Sequence, residues 1–258
     1  MVEGQGSSTA PDRLGWRAKF GVIGPSTNTI VQPEFDAMRP TGITNHYSRI
    51  YTPDANAISD ETFIAGTQVI ADNIMHAVDS VMTCAPDHLI MGMSMITFYG
   101  GYEGSERFRE SIEDRAGVAL SLGSQATARA LHASGKIAKI GVLSPYFPSA
   151  NEHVRRFFAD CGYTVVRDRA LQCPSWTAIA KVTAEQIEAL MIDTLDGDDV
   201  EALVQVGTNL CMAQQASDLE DRLQKPVLAF NTATYWDALR RNDFIDQIEG
   251  FGRLLARY

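Results

Sequence analysis

The stretch Lys19-Phe-Gly-Val-Ile-Gly-Pro25 returns later in the chain as Lys139-Ile-Gly-Val-Leu-Ser-Pro145. Each is a short apolar run closed by proline and followed by a polar segment able to start a helix, the pattern of a buried strand feeding a βα unit. A second pair follows at nearly the same offset: Asp87-His-Leu-Ile-Met-Gly92 and Glu201-Ala-Leu-Val-Gln-Val-Gly207, both buried-looking strands ending in glycine. Two pairs that agree in order and spacing predict a duplicated α/β fold. It has two similar domains with parallel sheets, related by pseudo-twofold symmetry, and an active-site cleft between them.

Around these anchors, strands are expected at Phe20–Ile23, His46–Tyr51, His88–Met91, Lys139–Leu143, Thr164–Asp168, Ala202–Val206 and Val227–Ala229. Helical periodicity covers Asp60–Val81, Ser105–Asp114, Ser124–Ala133, Ala150–Asp160, Ala184–Leu195, Ala213–Leu223 and Ala233–Arg240. Ser149 or Asn151 can cap the helix after the fourth strand, and Thr183 with Gln186 forms a capping-box pattern. Residues 1–15, rich in Gly, Ser and Thr, are expected to be a mobile tail. One half would comprise residues 16–122 plus 231–258, the other 123–230.

Composition excludes several function classes. With 258 residues, 45% hydrophobic and 21% charged, the chain can bury a large core without staples. The 32 acidic against 22 basic residues, the latter scattered, disfavour nucleic acid as a partner. The longest apolar runs, such as Leu89–Met95, fall far short of the ~20 residues of a membrane span, and the N-terminus lacks a basic flank and apolar core. Cys84, Cys161, Cys173 and Cys211 are widely spaced, with no CxxC pair and no zinc-type cluster. They read as free thiols in a reducing, cytoplasmic setting with no metal; a homo-oligomer is left open.

Open α/β sheets bind ligands at the carboxyl ends of their strands, which directs attention to five loops: 25–29, 92–97, 144–149, 207–212 and 231–234. The first, with Pro25, Ser26 and Asn28, offers hydroxyl, amide and backbone N–H donors suited to a carboxylate or phosphate, yet it is not a P-loop, and no GxGxxG is present. Gly92, Met93 and Ser94 form the second. Gly207, Thr208, Asn209 and Cys211 follow a strand in the other half, and Tyr146 with Asn231 to Thr234 completes a ring of neutral donors. Pre-organised donors of this kind can hold carboxylates and stabilise enolate-like charge. The five histidines fall on strands or helices as surface or satisfied core residues, Glu34 reads as part of a solvated helix face, and Asp237 could brace a hydrogen bond behind the site.

The order Val22-Ile-Gly-Pro25-Ser-Thr-Asn28-Thr, Met91-Gly-Met-Ser94…Phe98-Tyr-Gly-Gly, Val142-Leu-Ser-Pro-Tyr146…Asn151-Glu and Pro226-Val…Tyr235-Trp-Asp-Ala-Leu-Arg240 resembles the maleate cis–trans isomerase and arylmalonate decarboxylase branch of the Asp/Glu racemase superfamily. The likeness runs over roughly residues 18 to 240. It implies an enzyme with no cofactor and no metal, binding a small carboxylate between two pseudo-symmetric halves. Racemases and isomerases of that superfamily use two cysteines, one per half, whereas the decarboxylase keeps only the second and has glycine at the first. By position the first falls on Gly92, as in the decarboxylase, and the second on Gly207, a departure from both.

Two explanations stand side by side: Cys211 reaches the site through a rearranged loop, its pKa lowered at a helix N-terminus, or thiol chemistry has been abandoned. The expectation is decarboxylation or cis–trans isomerisation through an enediolate-like species. Ser94, Tyr146 and the N–H groups of Gly207 and Thr208 would hold a carboxylate, aided by Pro25, Ser26, Asn28 and Asn209. Met93 would press on the rest of the substrate, and Cys211 or Tyr146 would deliver the proton. The alternatives are hydrolase or lyase chemistry on a cyclic or amide-containing acid, and a non-catalytic carboxylate-binding sensor.

Overall fold

A computed structural model describes residues 12–53 and 59–258. Most of the expected tail lies outside the described residues; in its last part Asp12 accepts the Leu14 and Gly15 N–H groups, a local turn.

Two four-stranded sheets, every strand parallel to its neighbours, form the frame. The first holds β1 (Ala18–Pro25), β2 (Ile43–Ile50), β3 (His88–Met91) and β4 (Leu120–Ser121) in the order β2-β1-β3-β4. The second holds β5 (Lys139–Ser144), β6 (Thr164–Ala170), β7 (Ala202–Gln205) and β8 (Val227–Ala229) in the order β6-β5-β7-β8. The orders match term by term, so the two sequence pairs are the central strands of each sheet: β1 with β5, and β3 with β7. Strand β4 has no counterpart among the expected strands; two residues are too few to show a period.

The helices α1 (Val31–Ala37), α2 (Asp60–Met82), α3 (Gly101–Ala116), α4 (Gly123–Ala133), α5 (Pro148–Asp160), α6 (Ala184–Ala189), α7 (Gln215–Leu223), α8 (Phe230–Arg241) and α9 (Arg253–Arg257) flank the sheets. In α2 the buried side chains Phe63, Thr67, Ile70, Ile74, Ala77, Val78 and Val81 recur at three- and four-residue steps, the stripe of a helix packed on one face. The capping box of Thr183 and Gln186 is present at α6, which continues as a π-helical segment, Leu190–Leu195. The expected cap of α5 is not: Phe147 holds the N-cap position without a side-chain bond, and Pro148 opens the helix with its φ already set. Ser149 donates instead to Asp60 at the start of α2, and Asn151 donates to Asp168. α8 is buried along nearly its whole length and packs on α1, α4, β3 and β4, so the chain returns to the first sheet after completing the second. Among the described residues no helix is long and apolar enough to cross a membrane.

Candidate active site

A parallel strand points its carboxyl end at the loop that follows, and here four such loops meet. Pro25, Thr27 and Asn28 after β1, Met93 to Met95 after β3, Pro145 and Tyr146 after β5, and Gly207 to Asn209 after β7 line one cavity of about 50 Å³. Thr67 and Ile70 of α2 and Trp176 and Ile179 of the segment before α6 complete its wall. That is about four times the room one water needs, which suits a small acid and not a nucleotide. Among the described residues Tyr146 is the only lining group with an ionisable side chain; no Lys, Arg, His, Asp, Glu or Cys belongs to the wall.

Hydrogen bonds between the halves set the geometry. Asn28 Nδ2 donates to Thr208 Oγ1 at 3.1 Å, the Thr208 N–H donates to Ser94 Oγ at 3.4 Å, and the Thr29 N–H donates to Asn209 Oδ1 at 2.9 Å. Asn28 Oδ1 also accepts the Ile30 and Val31 N–H groups and so fixes the entry to α1. Asn209 Nδ2 donates to the Trp176 carbonyl at 2.9 Å. Both asparagines thus hold loops together, each using one of the two N–H groups of its amide. The hydroxyls of Ser94 and Thr208 each accept from a fixed donor, so each can still donate its own proton.

Tyr146 is buried, and its hydroxyl has no hydrogen-bond partner among the described residues. Burial raises its pKa well above the ordinary phenol value, and the Ser94 hydroxyl offsets only part of that rise. The group is thus a proton donor at neutral pH and not a base. Trp176 Nε1 is the second buried donor of the wall without a partner. The sequence does not mark Trp176, Ile179, Thr67 or Ile70 as wall residues; a lone tryptophan in an irregular segment carries no periodic signal, and α2 reads as an ordinary amphipathic helix.

Several expected site residues stand elsewhere. Cys211 is exposed and lines a separate groove of about 330 Å³ with Pro33, Glu34 and Phe251. No helix begins near Thr208: α7 starts at Gln215, so Cys211 lies in an irregular loop and gains no helix dipole. Partial burial of the sulfur, together with the Glu34 carboxylate beside it, pushes its thiol up to about 11, opposite to the lowered pKa expected. Ser26 faces away from the cavity and exchanges hydrogen bonds with Thr52. A Cβ at Gly92 would meet Val31 and the Ile23 carbonyl, so that position faces the core. At Gly207 a Cβ would come within 2.7 Å of the Pro145 ring; the close approach of these two loops requires glycine.

The polar groups behind the site also differ from expectation. Glu34 is buried, not solvated: it accepts the N–H groups of Met212 and Ala213 and the side-chain amide of Asn231, which also donates to the Thr208 carbonyl. Asn231 and Thr234 lie in α8, and Thr234 is satisfied by the Phe230 carbonyl, so this segment stands behind the cavity wall. Asp237 accepts from Ser121 and Arg129 in a network with His88, away from the cavity. Burial first, then Arg241, lowers the His88 pKa to about 3, a neutral core histidine.

A sequence profile of the arylmalonate decarboxylase family matches residues 28–255. The chain is 23% identical over 254 residues to a maleate isomerase of Nocardia farcinica, covering 93% of this chain and 96% of that one. It is 22% identical over 199 residues to an arylmalonate decarboxylase of Bordetella bronchiseptica, covering 72% and 82% respectively. A solved structure of a cysteine-to-serine mutant of the Nocardia farcinica maleate cis-trans isomerase, with a covalently bound succinylcysteine intermediate, superposes with a TM-score of 0.84 at 22% identity, covering 93% of this chain and 98% of that one.

Proposed function

The chain belongs to the arylmalonate decarboxylase family, and from that premise we propose that it is a cofactor-independent lyase that decarboxylates a small malonate-type acid through an enediolate. One observation carries the choice of reaction: the cavity wall presents hydroxyl donors and a single ionisable group, Tyr146, and no thiol among the described residues. The isomerase relative is known with a succinylcysteine intermediate; a route through such an adduct needs a nucleophilic sulfur that this wall lacks. Decarboxylation needs none.

In this reading Ser94 and Thr208 hold one carboxylate through their O–H groups. The other carboxylate sits against Ile70, Met93 and Ile179, where it loses hydration. Breaking the bond between the α-carbon and that carboxylate releases CO2 and leaves the electron pair on the α-carbon, delocalised as an enediolate onto the retained carboxylate. Fixed donors stabilise this charge as it develops. Tyr146 then gives its proton to the α-carbon, and the phenolate recovers one from water. An enediolate is a far stronger base than phenolate, so the raised Tyr146 pKa does not prevent the transfer.

The test is incubation of the purified protein with methylmalonate, ethylmalonate, phenylmalonate, maleate and hydantoins, with products followed by 13C NMR. Release of CO2 and the corresponding acetate from a malonate is the expected result. Fumarate from maleate would replace the lyase reading with an isomerase, hydrolysis of a hydantoin would select the hydrolase, and binding without any product would select the sensor.

A further inference from the structure

Among the described residues five buried side-chain atoms lack a hydrogen-bond partner, and two of them, Tyr146 Oη and Trp176 Nε1, belong to the wall of the cavity. The first is used by the reaction proposed above. The second has no task there. A buried donor left unpaired costs free energy that a native structure normally avoids, so each such group calls for a partner. The contrast within this chain is direct: the buried Trp236 donates Nε1 to the Tyr258 carbonyl at 2.9 Å, whereas Trp176 is half-buried with its Nε1 atom shielded and unpaired.

The Trp176 indole is not loose. Its ring lies 5.0 Å from that of Phe63, its carbonyl accepts Asn209 Nδ2, and its edge rests on Gly66 of α2, where a Cβ would come within 2.8 Å of Cζ2 and 3.5 Å of Nε1. It packs against each of three apolar clusters among the described residues. An N–H held this firmly at a cavity otherwise walled by Ile70, Met93 and Ile179 is placed to meet an acceptor atom carried by the ligand.

We propose that Trp176 is a specificity-determining residue: its indole N–H receives a hydrogen-bond acceptor oxygen on the substrate's α-substituent, so the preferred acids carry a short oxygen-bearing side chain and not a purely hydrocarbon one. The inference rests on the reading of the cavity as a carboxylate site. Since a hydrocarbon group of the same shape would leave the N–H unpaired, it should bind less tightly than one carrying an acceptor oxygen.

Methoxyacetate and butyrate test it, because they have nearly the same shape, do not decarboxylate, and differ by one acceptor oxygen. Their dissociation constants are measured by calorimetry on the intact protein. Methoxyacetate is expected to bind about tenfold more tightly, the scale of one buried hydrogen bond. In Trp176→Phe the two acids should bind equally, with butyrate affinity retained as the sign that the pocket is intact. The indole 1H–15N resonance of Trp176 should shift with methoxyacetate and not with butyrate, a reading that needs no variant. Equal affinities in the unaltered protein, or a preference that survives in Trp176→Phe, would overturn the role of Trp176 and leave the carboxylate site standing. Failure of both acids to bind would overturn the carboxylate site and this inference with it.

Discussion

The Asn28 side-chain amide reaches from the first half of the molecule to the second and donates to the Thr208 hydroxyl at 3.1 Å. This bond orients the Thr208 hydroxyl, which can still donate its own proton, while the other end of Asn28 fixes the entry to α1.

Asn28→Asp separates the two tasks. The aspartate still accepts the Ile30 and Val31 N–H groups, so the thermal midpoint should stay within a few degrees of the original. The cavity, however, gains a negative charge where it had a neutral donor, and the Thr208 proton turns toward that charge. Two like charges roughly 5 Å apart near a protein surface repel by about 3 kcal/mol. Butyrate affinity by calorimetry should fall tenfold or more; unchanged affinity would show that no carboxylate sits beside Asn28.

Cys211→Ala should leave turnover within about twofold, because the thiol faces a different groove. Its pKa near 11 keeps the reactive thiolate scarce at neutral pH. Iodoacetamide labelling at this residue, followed by mass spectrometry, should therefore be slow at pH 7.5 and accelerate as pH rises toward 10. A hundredfold loss of turnover in the alanine variant would return the thiol to the mechanism.

Glu34 links stability to pH. Burial raises its pKa in the folded protein, opposed first by the Ala213 N–H and then by the Asn231 amide and Met212 N–H. The folded state therefore binds the proton more tightly than the unfolded chain does. The associated stability is present below the unfolded carboxyl pKa and is lost as pH rises through the folded one. Melting curves of the original protein and of Glu34→Gln, recorded at intervals from pH 4 to pH 8, should show a difference that shifts steadily in favour of the glutamine variant as pH rises. A pH-independent difference would mean that this carboxyl does not titrate in that window.

Gly92 and Gly207 should respond unequally to alanine. At Gly207 the new methyl meets the rigid Pro145 ring at 2.7 Å, whereas at Gly92 its nearest neighbour is the Val31 side chain at 3.1 Å. Overpacking of this kind costs about 1–3 kcal/mol. Chemical denaturation should place Gly207→Ala well below Gly92→Ala in stability; the reverse order would contradict the packing of the β5 and β7 loops.

The duplicated frame is legible in the sequence because strand pairs such as 19–25 and 139–145 repeat both composition and the proline that ends them, and burial on both faces makes such strands continuous apolar runs. The four loops that meet at the cavity follow from that frame. The place of Cys211 is not legible: whether a residue four places after a strand enters a helix depends on where the turn closes, and the chain delays α7 until Gln215. Glu34 reads as solvated because its helix position is compatible with either face. Its burial follows from partners at 212, 213 and 231 that only the tertiary structure brings near. Trp176 escapes for the same reason, since its place is set by a glycine in α2, far earlier in the chain.

Tyr146 bears most of the proposed chemistry, and its removal is the most direct test. For whichever alkylmalonate is turned over, decarboxylation by Tyr146→Phe should be at least about 10²-fold slower than by the unaltered protein, the scale of a lost general acid. Butyrate binding should persist, and the original enzyme in D2O should place a single deuteron on the α-carbon of its product. Turnover in Tyr146→Phe within about threefold of the original rate, with butyrate still bound, would contradict the account.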